Sequence, residues 1–213
     1  MKNNKESSLK VSEYLLQIKA IKLNITNPFT WASGWKSPIY CDNRKTLSFP
    51  QIRNYIRDEL IKIIRDEFGE PEIIAGVATA GIPQGILVAQ DLGLPFIYVR
   101  SEDKKHGLEN QIEGVIESGK SVVVIEDLVS TGRSSLNAVE AIQKKGAIVK
   151  GMAAIFTYGF KTASDKFNKA KCPLITLTDY DCLINQALNS GYIKDTDLIT
   201  LNEWRECPEK WGI

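Results

Sequence analysis

Apolar residues along the chain fall into two alternating kinds of run. Val11, Leu15, Ile18 and Ile21 recur at helical spacing within Leu9 to Lys22. Ile52, Tyr55, Ile56, Leu60, Ile63 and Ile64 do the same between Ser48 and Phe68, with Ser48 as the expected cap and Pro50 in the first turn. Short apolar runs of the kind that buried strands use lie at Glu72 to Val77, Pro95 to Val99, Val122 to Ile125, Ala147 to Phe156 and Pro173 to Leu177. Helical spacing returns at Pro83 to Leu92 and from Leu136 to a stop at Gly146, then at Lys161 to Lys171 and Asp179 to Asn189. A last helix is expected over Leu201 to Cys207, opened by a Thr200-x-x-Glu203 capping box. Strands that alternate with helices predict an α/β fold with a mainly parallel central sheet flanked by helices. Residues 27–47, rich in Trp, Ser, Gly and Pro, read as irregular, and Met1 to Ser7 as a frayed end.

The most informative run is Val122 to Ile125, because of the residues at its carboxyl end. The apolar stretch meets two adjacent acids, Glu126 and Asp127, then Leu128, Val129, and a loop of Ser130, Thr131, Gly132, Arg133, Ser134 and Ser135 that opens a helix. Ligands of open α/β sheets bind at the carboxyl ends of the strands. A helix N-terminus offers unpaired N–H groups and about half a positive charge to an anion. Gly132 lets the backbone come close and the hydroxyls add donors. The acids cannot hold a phosphate, but they can accept hydrogen bonds from sugar hydroxyls or help hold a hydrated Mg²⁺. Sugar over the acids and phosphate in the loop is the arrangement that fits; a buried strand with a solvated turn is the plain competitor.

Two further segments gain meaning beside this one. Ala78-Thr79-Ala80-Gly81-Ile82-Pro83 is a second turn of small residues between a strand and a helix; alone it would pass for an ordinary βα turn. Arg100-Ser101-Glu102-Asp103-Lys104-Lys105-His106-Gly107 holds the only histidine of the chain and comes directly after a strand. It is expected to project as a mobile lid, with Arg100, Lys104 and His106 as its active cations. Cations aimed at charge as it develops stabilise a transition state, and a closed lid keeps water out.

Composition narrows the class. The chain has 213 residues and a formal net charge of +1, so nothing calls for nucleic acid or an acidic membrane as a partner. No apolar run approaches the roughly 20 residues that span a bilayer. Cys41, Cys172, Cys182 and Cys207 are scattered without metal-ligand spacing. With no signal peptide visible, reduced thiols in a cytoplasmic protein are expected.

The apolar run, acid pair and Thr/Ser-Gly loop resemble the 5-phosphoribosyl 1-diphosphate (PRPP) motif of the type I phosphoribosyltransferases. Phe29-Thr30-Trp31-Ala32-Ser33-Gly34-Trp35-Lys36-Ser37-Pro38-Ile39-Tyr40 is similar to the N-terminal signature of the orotate phosphoribosyltransferase family, and Arg100-x-x-x-Lys104-x-His106-Gly107 to its catalytic loop. The motifs occur in the family's order over about residues 29 to 160. The resemblance implies one phosphoribosyltransferase domain over 1–213, with 1–47 contributing a hood over the active site. It implies transfer of the phosphoribosyl group of PRPP to orotate in pyrimidine biosynthesis, with Mg²⁺ bound mainly through PRPP and no direct protein ligand. Glu126 and Asp127 would hold the ribose hydroxyls, Leu128 to Ser134 the 5′-phosphate, and Arg100, Lys104 and His106 the diphosphate. The lid would serve the neighbouring subunit of a homodimer. Ser130 and Tyr40 fall where the family touches orotate; Lys36 matches a basic family position of unassigned contact.

The chain departs from some members of that family. They carry Lys at the positions of Ala32, Ala80 and Ser101, and near Tyr158 an Arg that binds the orotate carboxylate; Ala154 to Gly159 lacks it. Which group holds the carboxylate is left open. Two rivals share the PRPP loop: a transferase acting on another nucleobase, and a PRPP-binding regulatory protein. The first would lack the Phe29 to Tyr40 segment, and the second would have no need of Lys104 and His106.

Overall fold

In a computed structural model, residues 5–31, 33–100 and 111–212 are described. Helix α1 (Lys5–Gln17) leads into four short strands, β1 (Ile21–Leu23), β2 (Phe29–Thr30), β3 (Lys36–Ser37) and β4 (Ile39–Cys41). They pair antiparallel as β1 with β4 and β2 with β3, so the segment expected to be irregular contributes to two small ribbons, and Ile21, expected in the first helix, begins β1 instead. Next come a 3-10 helix (Asn43–Ser48), α2 (Pro50–Ile63) and a π-helical turn (Ile64–Phe68). The remaining elements are β5 (Ile73–Val77), α3 (Gly81–Leu92), β6 (Phe96–Val99), β7 (Ile112–Glu113), β8 (Ser121–Val129), α4 (Arg133–Lys144), β9 (Ile148–Thr157), α5 (Lys161–Lys169), β10 (Leu174–Asp179), α6 (Tyr180–Asn189) and α7 (Asp197–Glu206).

Among the described residues the main sheet has six strands in the order β10-β9-β8-β5-β6-β7, all neighbours parallel except β6 and β7. Alternation along the strands splits the core in two. Val123 and Ile125 face the layer holding α1, α2, α3, α6 and α7, whereas Val122 and Val124 face α4 and α5. Both faces are covered, which is why these strands read as unbroken apolar runs.

The order of strands decides where a ligand goes. From β5 the chain passes to β6 on one side, while β8 lies on the other. The carboxyl ends of β5 and β8 therefore flank the topological switch point of the sheet, the crevice where open α/β sheets bind ligands.

Several boundaries differ from the sequence reading. Strand β8 does not end at the acids; Glu126 pairs with Ala154, Leu128 with Phe156 and Val129 with Thr157. Ser48 does not cap α2, because residues 43–48 form the 3-10 helix and the extended Phe49 takes the cap position before Pro50. Helix α7 starts at Asp197, so Thr200 lies inside it and opens no capping box. The earlier start puts Leu198, Leu201 and Trp204 on one packed stripe. At the other end α1 already includes Lys5 to Ser7, and the Ser7 hydroxyl donates to Glu59. Strand β7, only two residues long, lies between the expected lid and β8 and has no counterpart in the sequence reading.

Candidate functional site

A glycine lets the loop after β5 lie against β8 at the switch point, and a second shapes the turn after β8. A Cβ on Gly81 would lie 2.5 Å from the Ile125 carbonyl oxygen, so the first turn of α3 rests directly on β8 beside the acids. Gly132, the residue before α4, has φ +73°, and a Cβ there would meet the Phe167 ring of α5 at 3.0 Å. That left-handed conformation favours glycine. The Ala78–Thr79 peptide in the first loop is cis.

Glu126 and Asp127 sit at the end of β8 in different surroundings. Glu126 is buried; its Oε1 accepts the Asp127 N–H at 3.0 Å and its Oε2 accepts the Ser135 hydroxyl of α4 at 3.1 Å. Burial first, then the charge of Asp127, pushes the Glu126 carboxyl well above its ordinary value. Burial also raises Asp127, opposed by hydrogen bonding with Glu126 and by the positive charge of Arg44. The Asp127 carbonyl accepts the Asn43 Nδ2–H at 2.7 Å, which fastens the 3-10 helix to the end of β8.

Beyond the acids, Ser130 and Thr131 form the turn, Gly132 precedes α4, and Arg133 and Ser134 are its exposed first residues. No side chain caps α4, so the N–H groups of its first turn are left for an anion. The turn is held from below: Lys166 Nζ donates to the Thr131 carbonyl at 3.1 Å, and the Thr157 hydroxyl to the Val129 carbonyl at 3.0 Å.

Tyr40 of β4 is 38% exposed, its ring 5.6 Å from that of Phe29. Arg100 stands just past β6, with Nη1 3.6 Å from the Glu113 carboxylate and its carbonyl accepting from Gln111 Nε2 at 3.0 Å. It lies at the same sheet edge as the β5 loop, since Val77 and Val99 are register partners. Lys104 and His106 lie outside the described residues. Among the described residues no group of three or more His, Cys, Asp or Glu side chains could hold a metal ion.

The ribbons are anchored by aromatic packing that sequence spacing could not reveal. Trp204 of α7 is fully buried against Trp31, Tyr158, Phe160 and Tyr180, at centroid distances of 5.6 to 5.7 Å. Its Nε1–H donates to the Lys36 carbonyl at 3.2 Å, so the C-terminal helix holds β3 in place. Asn43, Arg44 and Lys166 were also missed. The polar triplet Asp42-Asn43-Arg44, one residue beyond the aromatic Tyr40, was a signal for the first two; none pointed to Lys166.

Comparison with known proteins defines the class first: residues 48–184 match a family model described as the phosphoribosyl transferase domain. An orotate phosphoribosyltransferase of Bacteroides thetaiotaomicron is 58% identical over 94% of this chain and 94% of its own. One from Listeria monocytogenes is 55% identical over 95% and 97%. The crystal structure of orotate phosphoribosyltransferase from Aeropyrum pernix superposes with TM-score 0.75 at 26% identity, covering 86% of this chain and 99% of that one. The chain thus belongs to the phosphoribosyl transferase family, in the branch of the orotate phosphoribosyltransferases, and its parallel sheet with a small N-terminal region is the type I fold that the motifs implied.

Proposed function

We infer that this protein transfers the 5-phosphoribosyl group of PRPP to orotate, giving orotidine 5′-phosphate and diphosphate in pyrimidine biosynthesis. The observation that carries this reading is the acid pair and uncapped helix start of α4 at the switch point of a sheet whose relatives bear that activity.

The 5′-phosphate binds across Leu128 to Ser134, where the free N–H groups of α4 and the hydroxyls of Ser130, Thr131 and Ser134 surround it. The Asp127 carboxylate accepts from a ribose hydroxyl, and Glu126, with lone pairs left after its two internal bonds, accepts from the other. Mg²⁺ would be bound mainly through PRPP rather than by protein side chains, and would supply positive charge to the diphosphate. Orotate lies against Tyr40 and touches Ser130. As the bond from the ribose C1 to diphosphate lengthens, positive charge grows on the sugar and negative charge on the leaving group. Arg100, Lys104 and His106 meet the latter, and positioning supplies much of the rest. Those three cations act on the site of the neighbouring subunit in a homodimer, and residues 1–47 form the hood of a domain spanning 1–213. No described helix is long and apolar enough to cross a membrane, in keeping with work in the cytoplasm.

Loss of orotate absorbance with PRPP and Mg²⁺ is the direct test. No turnover of orotate alongside turnover of hypoxanthine or uracil overturns the substrate assignment. Lys104→Ala should lower kcat by about 10²–10³, the loss typical of one charge-stabilising group; unaltered kinetics remove Lys104 from the mechanism.

A further inference from the structure

Orotate is an anion, and its carboxylate lies next to the ring nitrogen that becomes bonded to ribose. The sheet end it must approach carries Glu126 and Asp127, which repel it. The Ala154 to Gly159 segment beside them contains no Arg or Lys. A cation from another segment would offset that repulsion, and three of the described cations near the site already have partners. Lys36 Nζ donates to the Thr30 hydroxyl at 2.9 Å, Lys166 to the Thr131 carbonyl at 3.1 Å, and Arg100 faces Glu113 at 3.6 Å.

We propose that Arg44 receives the orotate carboxylate, gripping it through the Nη1/Nη2 edge of its guanidinium. Resting on the transferase reading above, this adds a residue that sets acceptor specificity. Arg44 is next to Asn43, whose 2.7 Å bond to the Asp127 carbonyl fixes this part of the 3-10 helix to the end of β8. Tyr40, four residues earlier on β4, leaves its ring 38% exposed. Asp42 accepts from Arg44 Nε at 2.6 Å, and the terminal edge of the fork has no partner among the described residues. The Arg44 side chain is 62% exposed, open to a ligand, while Asp42 is 18% exposed and held. The positive charge of Arg44 is felt at the Asp127 carboxyl, so the guanidinium stands within electrostatic range of the acid pair.

The arrangement suits a planar carboxylate. A guanidinium presents two parallel N–H donors to two carboxylate oxygens, a geometry that an ammonium cannot copy. Asp42 orients the fork without using up its charge, because an exposed ion pair is worth little in water. Asp42 is thus a positioning residue. A pyrimidine without the carboxylate would leave the fork empty and gain nothing from it.

The experiment uses the full-length protein, wild type beside Arg44→Ala and Arg44→Lys, each checked for native circular dichroism. Orotate turnover is measured first, then orotidine 5′-phosphate and uridine 5′-phosphate are titrated by calorimetry; these ligands differ only in the carboxylate. Arg44→Ala should lower kcat/KM for orotate and affinity for orotidine 5′-phosphate by roughly 10- to 100-fold, the loss of a charge-assisted hydrogen-bonded pair. Affinity for uridine 5′-phosphate and KM for PRPP should stay within about twofold. Arg44→Lys should recover only part of the loss. Equal losses for both nucleotides, or none for either, overturn the proposal, as does full recovery by Lys. If Arg44→Ala fails to fold, the same comparison on Arg44→Lys decides. A wild type that turns over no orotate overturns the transferase reading instead.

Discussion

Replacing Gly81 with alanine tests whether the close seat of α3 on β8 positions the acids. The residue has no left-handed conformation to defend, so the substitution acts through space alone. Its Cβ would stand 2.5 Å from the Ile125 carbonyl oxygen and 3.4 Å from the Glu126 Cα. An ordinary carbon–oxygen contact needs roughly 3.3 Å, so helix and strand must part by about 0.8 Å. Alanine in a helix gains up to ~1 kcal/mol over glycine, whereas overpacking a close contact costs ~1–3 kcal/mol. The net change in stability should be small, between zero and about 2 kcal/mol of loss. Activity should suffer far more. The displaced atoms lead directly into Glu126, and a shift near 1 Å in a catalytic site can cost about 10²-fold in rate.

The assay pairs urea denaturation with steady-state kinetics on orotate and PRPP. The expected outcome is a fall in kcat/KM of roughly 10- to 100-fold with most stability kept. Gly93→Ala is the control: it sits at the far end of α3 with open space around a Cβ but φ +67°. It should lose about 1 kcal/mol of stability and no activity. Equal kcat/KM for Gly81→Ala and wild type would refute the claim that this contact positions the acids.

Trp204→Ala should cost roughly 3–5 kcal/mol in denaturant unfolding, since it removes a fully buried ring and its bond to the Lys36 carbonyl; a loss below about 1 kcal/mol would show that α7 does not hold the ribbons. Asp127→Asn removes a carboxyl whose burial raises it above its ordinary value. Such a group binds its proton more tightly folded than unfolded, so its charge subtracts stability as pH rises from the usual carboxylate range through the raised value, and the effect is complete above that. The Asn variant should therefore be more stable at neutral pH yet bind PRPP more weakly, as read by calorimetry; a variant equal to wild type in both would sink the argument.

How much was legible in the sequence depends on the range over which each signal acts. The strands of the parallel sheet and the turn from Ser130 to Gly132 that opens α4 were readable because burial on both faces and helix-start chemistry leave marks on neighbouring residues. The end of β8 was misjudged for a reason of the opposite kind. Two acids look like the end of a strand, but Glu126 is satisfied by Ser135, nine positions on, and by its own neighbour's N–H, so pairing with β9 continues. The false capping box at Thr200 has the same origin: packing of Leu201 and Trp204 on the core outweighed a local motif.

The site's least legible part is the one that distinguishes its acceptor. The segment proposed to meet phosphate and ribose is contiguous, so a single stretch of chain announces it. In the proposed reading the nucleobase is met by residues of the N-terminal ribbons, whose positions depend on contacts across the fold: Asn43 to Asp127, 84 positions apart, and Trp204 to Lys36, 168 apart. No periodicity encodes such contacts. The donor half of the reaction can thus stay constant while the acceptor half changes with the packing of the ribbons. A substitution at Trp204, far from the chemistry in sequence, should accordingly disturb KM for orotate more than KM for PRPP in any variant that still folds, whereas Lys166→Met, which frees the Thr131 carbonyl, should do the reverse.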